Sequence, residues 1–487
     1  MRFFVLTCWL ALVSIPWAAP ATGQTALRID PFAGQTAAYL NPAATAAVPY
    51  GWDLTLGAAA AGVHNNWLLV EEAAALPLLR QTLGPGGLSV DDNDFRFVAG
   101  GQTYRYGFPG VDGPVRATVG ASVAGPGLSV QLGERTRVGA FTRLRGRASV
   151  ASLDANFQYE TYDAIPLGST FTVAAGRTDA ALWGEVGLQL ARAIDLGDGN
   201  ELRLGLTPRY LIGYEGAAAS NAAGARVTKA GRDSLQFRVA DVSVAYTGAL
   251  RDGTGVGRRR GQGWAVDLGV QYAWGDDLDR GYRYVLGASV LDLGGITFDR
   301  ATRVHRFRTA ADAGVTVTER DLDTDADAPG EPIDQITRRL SALVYDDPAA
   351  SVTDEPFRVN LPLALSVQFA YRPTEHTQLS VVYRGDLPVR DQLRAGQQLT
   401  AAAHYSRWWF GAAVTAGLTD WRTPEVGGML RAGPFFVGTD TLFGTLLARN
   451  ELSGADVYAG VRLHSLRPGR RRAARGRRGQ EVRCYQF

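Results

Sequence analysis

Four aspartates alternate in "DLDTDADAPGE": Asp321, Asp323, Asp325 and Asp327. Carboxylates at every second position have the spacing of a calcium loop, which gathers oxygen ligands around a hard cation. An EF-hand loop also needs glycine at its sixth position and glutamate at its twelfth. Here those positions hold Ala326 and Pro332. The stretch reads first as a solvated acidic loop, with the four aspartates as a candidate cation-binding set.

The other reactive side chains form no constellation. His64, His305, His376, His404 and His464 share no metal-ligand spacing. No G-x-S-x-G elbow is present. "GTGVGRRRG" (253–261) lacks the P-loop spacing and reads as a turn with solvated arginines. Of the two cysteines, Cys8 lies in the first apolar stretch. Its removal would leave Cys484 alone, with no internal disulfide and no cysteine-based metal site. The sequence therefore predicts no enzyme, no metal and no cofactor.

Charge is also local. The formal net charge is +2, but 467–487 holds eight arginines against Glu481. Without that tail and Arg2, the body has 41 basic and 47 acidic residues. Nucleic-acid binding by the whole chain is not expected. The tail is expected to be unstructured, with acidic lipid headgroups or a periplasmic partner as the surfaces its charge would suit.

The elements that carry these residues repeat with period two. "ELRLGLTPRYLIGYE" places Leu202, Leu204, Leu206, Pro208, Tyr210, Ile212 and Tyr214 on one face, opposite Arg203, Gly205, Thr207, Arg209 and Gly213. "GWAVDLGVQYAW" places Trp264, Val266, Leu268, Val270, Tyr272 and Trp274 opposite Ala265, Asp267, Gly269, Gln271 and Ala273. Alternation of this kind predicts strands with one apolar face. Several are too long for a soluble sandwich, whose strands run to about five or six residues. Ten steps from Trp264 to Trp274, tilted about 40°, rise roughly 25 Å, the height of the apolar band of an outer-membrane barrel. Aromatic residues mark both ends of that row, as interfacial girdles do.

These features predict an all-β chain: an antiparallel transmembrane outer-membrane β-barrel of about 14 strands, within 12–16. The near-C-terminal strands are expected at 361–371, 378–384, 398–405, 408–418, 426–437, 441–448 and 455–463. An extracellular acidic loop at 305–356, with a helix from Ile333 to Val344, puts "RPTEHT" and the last strand end in the periplasm. Upstream, strand parity asks for one extra strand near Ile296 to Arg306. "MRFFVLTCWLALVSIPWAAPATGQT" reads as a secretory signal peptide over 1–24, cleaved near Ala19 to Gln24. An N-terminal segment follows at 25–50, the barrel at 51–465 and the basic tail at 466–487.

"AGQTAAYLNPAATAAVPYGWDLTLGAAAAGVHNNWL" resembles the start of FadL-like barrels, where an Asn-Pro-Ala segment precedes the first strand. With "AGPFFVGTD" (432–440), "GADVYAGVRL" (454–463) and the final "VRCYQF", the chain resembles more closely a family of uncharacterised outer-membrane barrels. The resemblance implies a FadL-like or PorV-like barrel in the cell outer membrane. Its partners would be outer-membrane lipid, the barrel-assembly machinery during insertion, and a small, hydrophobic molecule that the barrel binds or passes. The PorV-like alternative is an interaction barrel serving a secretion or surface-attachment partner. In the FadL-like reading, Asn41, Pro42 and Ala43 form the hinge of a plug, with small residues letting its backbone approach the wall.

Overall fold

The computed structural model describes residues 24–465, apart from 83–87, 92–95, 108–114, 155–164, 223, 249–256, 278–280, 310–313, 323–331, 390, 443 and 445–452. The leader expected at 1–24 (Gln24 apart) and the tail expected at 466–487 lie outside the described residues.

Fourteen strands close into a ring. They are β1 (Trp52–Asn65), β2 (Val115–Leu132), β3 (Thr136–Leu153), β4 (Gly176–Gly197), β5 (Asn200–Asn221), β6 (Gly261–Asp277) and β7 (Gly281–Phe298). The second half comprises β8 (Ala364–Tyr371), β9 (Thr377–Asp386), β10 (Gln398–Ser406), β11 (Phe410–Thr419), β12 (Thr423–Ala432), β13 (Phe435–Thr439) and β14 (Gly454–His464). Each pairs antiparallel with the next. β14 returns to β1, with Asp53 opposite His464 at one end and His64 opposite Gly454 at the other. Closure leaves no edge strand, which is what a sheet must achieve to cross a bilayer.

The two rims differ. One carries the tight links 133–135, 198–199, 372–376, 407–409 and 433–434, together with both chain ends of the ring. The long connections 66–114, 154–175, 222–260 and 299–363 all leave from the other. Outer-membrane barrels place short turns in the periplasm and long loops outside.

The faces are those of a membrane barrel. Trp264 is 67% exposed and Val414 62%, and Leu188, Leu206, Leu268, Leu286, Val381 and Leu430 also point out. Asp53, Arg137, Glu185, Arg209, Asp267, Arg431 and Arg462 are buried on the inner side. A water-soluble protein would reverse this distribution. Aromatic girdles stand at both ends of β6. Trp264 meets Tyr210 at 5.1 Å near the outer rim, and Trp274, Tyr284 and Tyr371 stack at 5.3 Å intervals near the inner one. The chain is an outer-membrane β-barrel.

Two strand expectations change. β7 runs on to Phe298, and the next strand, Thr302–Arg308, pairs with Asp241–Thr247 above the ring. No extra ring strand is needed near Ile296 to Arg306, and the parity closes. The stretch 426–437 is two strands, because Gly433, with φ 56, and Pro434 turn the chain between β12 and β13. Most of 441–448 lies outside the described residues. The helix expected from Ile333 to Val344 forms at Pro332–Tyr345. It packs over the strand Thr302–Arg308, where Tyr345 Oη donates to the Arg306 carbonyl at 2.9 Å.

Candidate functional site

Residues 24–50 cross the lumen; most are buried and none is exposed. A short helix, Thr25–Ile29, sets Ala26 and Leu27 against Ala60, Ala413, Met429, Phe436 and Tyr458 of the wall. Thr25 N donates to Asp440 at 3.1 Å, and Gln378 Nε2 donates to the Ile29 carbonyl at 2.8 Å. Next, Arg431 Nε donates to Asp30 Oδ2 at 3.1 Å. Burial alone would raise the Asp30 pKa; Arg431, His404 and the Phe32 amide outweigh it and hold the carboxyl below its usual range. The Arg462 guanidinium donates to the Phe32 and Ala33 carbonyls. The Asp53 carboxylate accepts from Gln35 N at 2.9 Å and from Ser129 Oγ.

The segment then reaches the opposite wall. Asn41 caps the 3-10 turn Pro42–Ala47: its Oδ1 accepts from Ala43 N at 2.9 Å, and Pro42 fills the first position. Asn41 Nδ2 faces the Val270 carbonyl at 3.1 Å, the Ala288 carbonyl at 3.3 Å and Gln368 Oε1 at 2.8 Å. Wall glycines make this approach feasible. A Cβ on Gly205 would collide with the Ala43 amide nitrogen, and one on Gly269 with Asn41 Oδ1. The turn continues to Ala46, which packs on Ala191 and Ala193.

Beyond the segment lies a small chamber of ≈ 30 Å³. Arg143, Arg145 and Arg147 alternate along β3, so all three point inward. Glu185 Oε2 accepts from Arg143 Nη2 at 2.6 Å, and its Oε1 accepts from Arg145 at 3.0 Å, Arg209 at 3.1 Å and Trp183 Nε1 at 2.8 Å. Asp292 accepts from Arg145 and Arg209, each at 2.8 Å. Asp267 accepts from Arg209 and from the Asp292 amide, the latter at 2.6 Å. That amide is free because β7 bulges there, with Asp292 at φ 61. Arg143 also lies over the Tyr39 ring at 4.3 Å. From the segment, Arg28 enters the chamber beside Arg143 and Arg384.

On the outer side the chamber is roofed. The loop 387–397 folds inward, and Leu393 joins Trp183, Leu211, Ile296, Phe298 and Leu361 in a fully buried apolar cluster. The Arg394 carbonyl accepts from Arg147 Nη1 at 2.9 Å, and Arg394 N donates to Ser149 Oγ at 3.0 Å. The lumen is thus crossed twice, by the N-terminal segment below and by this loop above.

Residues 107–440 match the family described as Family of unknown function (DUF5723). The chain belongs to that family. No curated protein matches the sequence. Among solved structures, the chain is similar to the toluene transporter TbuX of Ralstonia pickettii, with 10% identity over 89% of this chain and 94% of that one, at a TM-score of 0.39. It is also similar to the translocator domain of the autotransporter NalP from Neisseria meningitidis (8% identity, 85% and 88% covered, TM-score 0.29). A Pseudomonas aeruginosa FadL homologue follows (11% identity, 88% and 94% covered, TM-score 0.23).

Within this DUF5723 chain the residues singled out from sequence fall in different places. Asn41, Pro42 and Ala43 lie together in the lumen against the wall. Asp321 Oδ2 accepts from Thr318 N at 2.8 Å and Thr318 Oγ1 at 2.6 Å, closing a local turn. Asp323, Asp325 and Asp327 lie outside the described residues. Among the described residues, no group of three or more His, Cys, Asp or Glu side chains could hold a metal ion. Sequence reading missed the chamber. Its one local signal was "RLRGR" (143–147), three arginines on a single strand face; the acids that meet them, Glu185 and Asp292, come from two other strands.

Proposed function

We propose that this barrel is a plugged outer-membrane conduit that binds or passes a small molecule. Residues 25–50 are the plug, and Asn41, Pro42 and Ala43 are the hinge where it bears on the wall. The supporting observation is the way the segment is fastened: Asp30, Phe32, Ala33, Gln35 and Asn41 are each held by wall groups from different sides of the ring. In the FadL-like reading the cargo is hydrophobic. It would enter by displacing Leu393 from the apolar cluster around Trp183 and Phe298. Residues 1–24 are then a cleaved export leader, and the barrel-assembly machinery inserts the mature chain.

Single-channel conductance and ligand uptake, measured with and without residues 25–48, test the plug. Deletion is expected to raise open-state conductance several-fold while the protein keeps the heat-modifiable gel mobility of a folded barrel. Unchanged conductance in a folded deletion variant would sink the reading.

A further inference from the structure

The chamber holds more guanidinium groups than carboxylates can match. Glu185, Asp267 and Asp292 are engaged by Arg143, Arg145 and Arg209. Three more arginines reach the same space from three separate elements: Arg28 from the N-terminal segment, Arg147 from β3 and Arg384 from β9. All three are at least nine-tenths buried. Among the described residues, the Arg147 guanidinium donates only to the Arg394 carbonyl, and that of Arg28 only to Gln24 Oε1 at 3.2 Å. No hydrogen bond joins the Arg384 guanidinium to any described residue, and the Nε atoms of Arg28 and Arg384 are buried without acceptors among the described residues. Two further acids lie near these arginines, and neither accepts a hydrogen bond from them among the described residues. Asp386 accepts from the Ala395 and Gly396 amides at 3.0 Å, and Asp440 accepts from Thr25 N.

Buried like charges without a counter-charge are costly, because desolvation and mutual repulsion act together. A guanidinium presents its donors in a planar fork that matches two oxygens of one anion. Nine of the twelve lining residues are polar or charged, so the space suits a charged head group rather than a hydrocarbon. We propose that this chamber is a binding site for an oxyanion, a phosphate or carboxylate group, held by Arg28, Arg147 and Arg384. The site goes beyond the plug reading: the anion can bind in a barrel that never opens, and the plug can gate a barrel that binds none.

The test is isothermal titration calorimetry on the detergent-solubilised full-length barrel, with inorganic phosphate and acetate titrated separately. One saturable site is expected for at least one of them. Phosphate alone assigns the phosphate class, acetate alone the carboxylate class, and both support a general oxyanion site. The variant Arg147→Gln/Arg384→Gln is expected to bind at least tenfold more weakly. Arg384→Gln alone, which removes no hydrogen bond, keeps the fold and is expected to show a smaller loss in the same direction. Arg306→Gln, an exposed arginine outside the ring, should bind as the wild type does. The proposal fails if neither ion binds the wild-type barrel, if the folded Arg384→Gln variant binds as tightly as wild type, or if Arg306→Gln loses as much as the double variant.

Discussion

Arg431 shows how a single side chain can hold the lumen segment. Its guanidinium meets Asp30 and the carbonyls of Arg407, Trp408 and Phe410, and it is almost fully buried. Arg431→Ala would leave the Asp30 carboxylate buried without its partner, a change that costs about 3–5 kcal/mol in comparable pairs. The expected readout is a lower temperature for loss of heat-modifiable mobility. His305, outside the ring, gives a pH dependence. It sits between Tyr246 Oη at 3.2 Å and Ser351 Oγ at 2.9 Å, and burial lowers it to about 4. An unfolded histidine titrates near 6.5. Between those values the unfolded segment binds the proton and the folded one does not, so this contribution is complete above about pH 6.5 and declines as pH falls toward 4. Hydrogen exchange over the helix Pro332–Tyr345 should therefore quicken across that window, beyond the intrinsic pH effect. His305→Gln should flatten the dependence; an equal response in that variant would assign it elsewhere. At this scale the sequence made Asn41 and Pro42 visible, because their turn chemistry is local. It hid the partnership of Arg209 with Asp267, since nothing local says that β5 and β6 place them side by side.

Elements were more legible than contacts. Alternation marked β5, β6, β8, β9, β11 and β14 because lipid outside and a polar lumen inside impose opposite chemistry on neighbouring residues. It misled where the pattern continued without the ring. The strand Thr302–Arg308 keeps a strand pattern yet pairs above the barrel with Asp241–Thr247, and only topology reveals that. Gly433–Pro434 was overlooked inside an apolar run, although a Gly-Pro pair is a turn signal. The seat of the N-terminal turn gives a prediction at this level. Gly205→Val places a branched side chain where the backbone of Pro42 and Ala43 now lies. The 3-10 turn must then lift from β5 and β6. Limited proteolysis of the detergent-solubilised barrel should cut within 24–50 in this variant and spare the wild type. Protection equal to wild type would count against tight seating of the turn.

For the whole molecule, the two faces of the wall make opposite demands. Val414 points toward lipid from β11, while its neighbour Thr415 is buried on the inner side. Val414→Arg is expected to destabilise the barrel by about 2–4 kcal/mol if it sits near the bilayer midplane. Urea-dependent folding into liposomes measures this; a loss below about 0.5 kcal/mol would mean the face is not in hydrocarbon. The family match spans 107–440, the stretch in which sequence reading saw little beyond strand pattern. The quoted motifs lie mostly at the two ends. The fold is therefore spread over the whole wall, and no short motif stands for it.

The return of β14 to β1 sets an order of events for the chain's birth. Arg462 grips the Ala33 carbonyl across 429 residues of sequence, so the last ring strand fastens the segment that precedes the first. Such distant pairing is slow, because the long loop between must be closed before any contact rewards it. Until β14 arrives, the nascent wall has two raw edges and the lumen segment lacks its final clasp. A chain truncated before Gly454 would keep both edges open and is expected to aggregate instead of yielding a smaller pore.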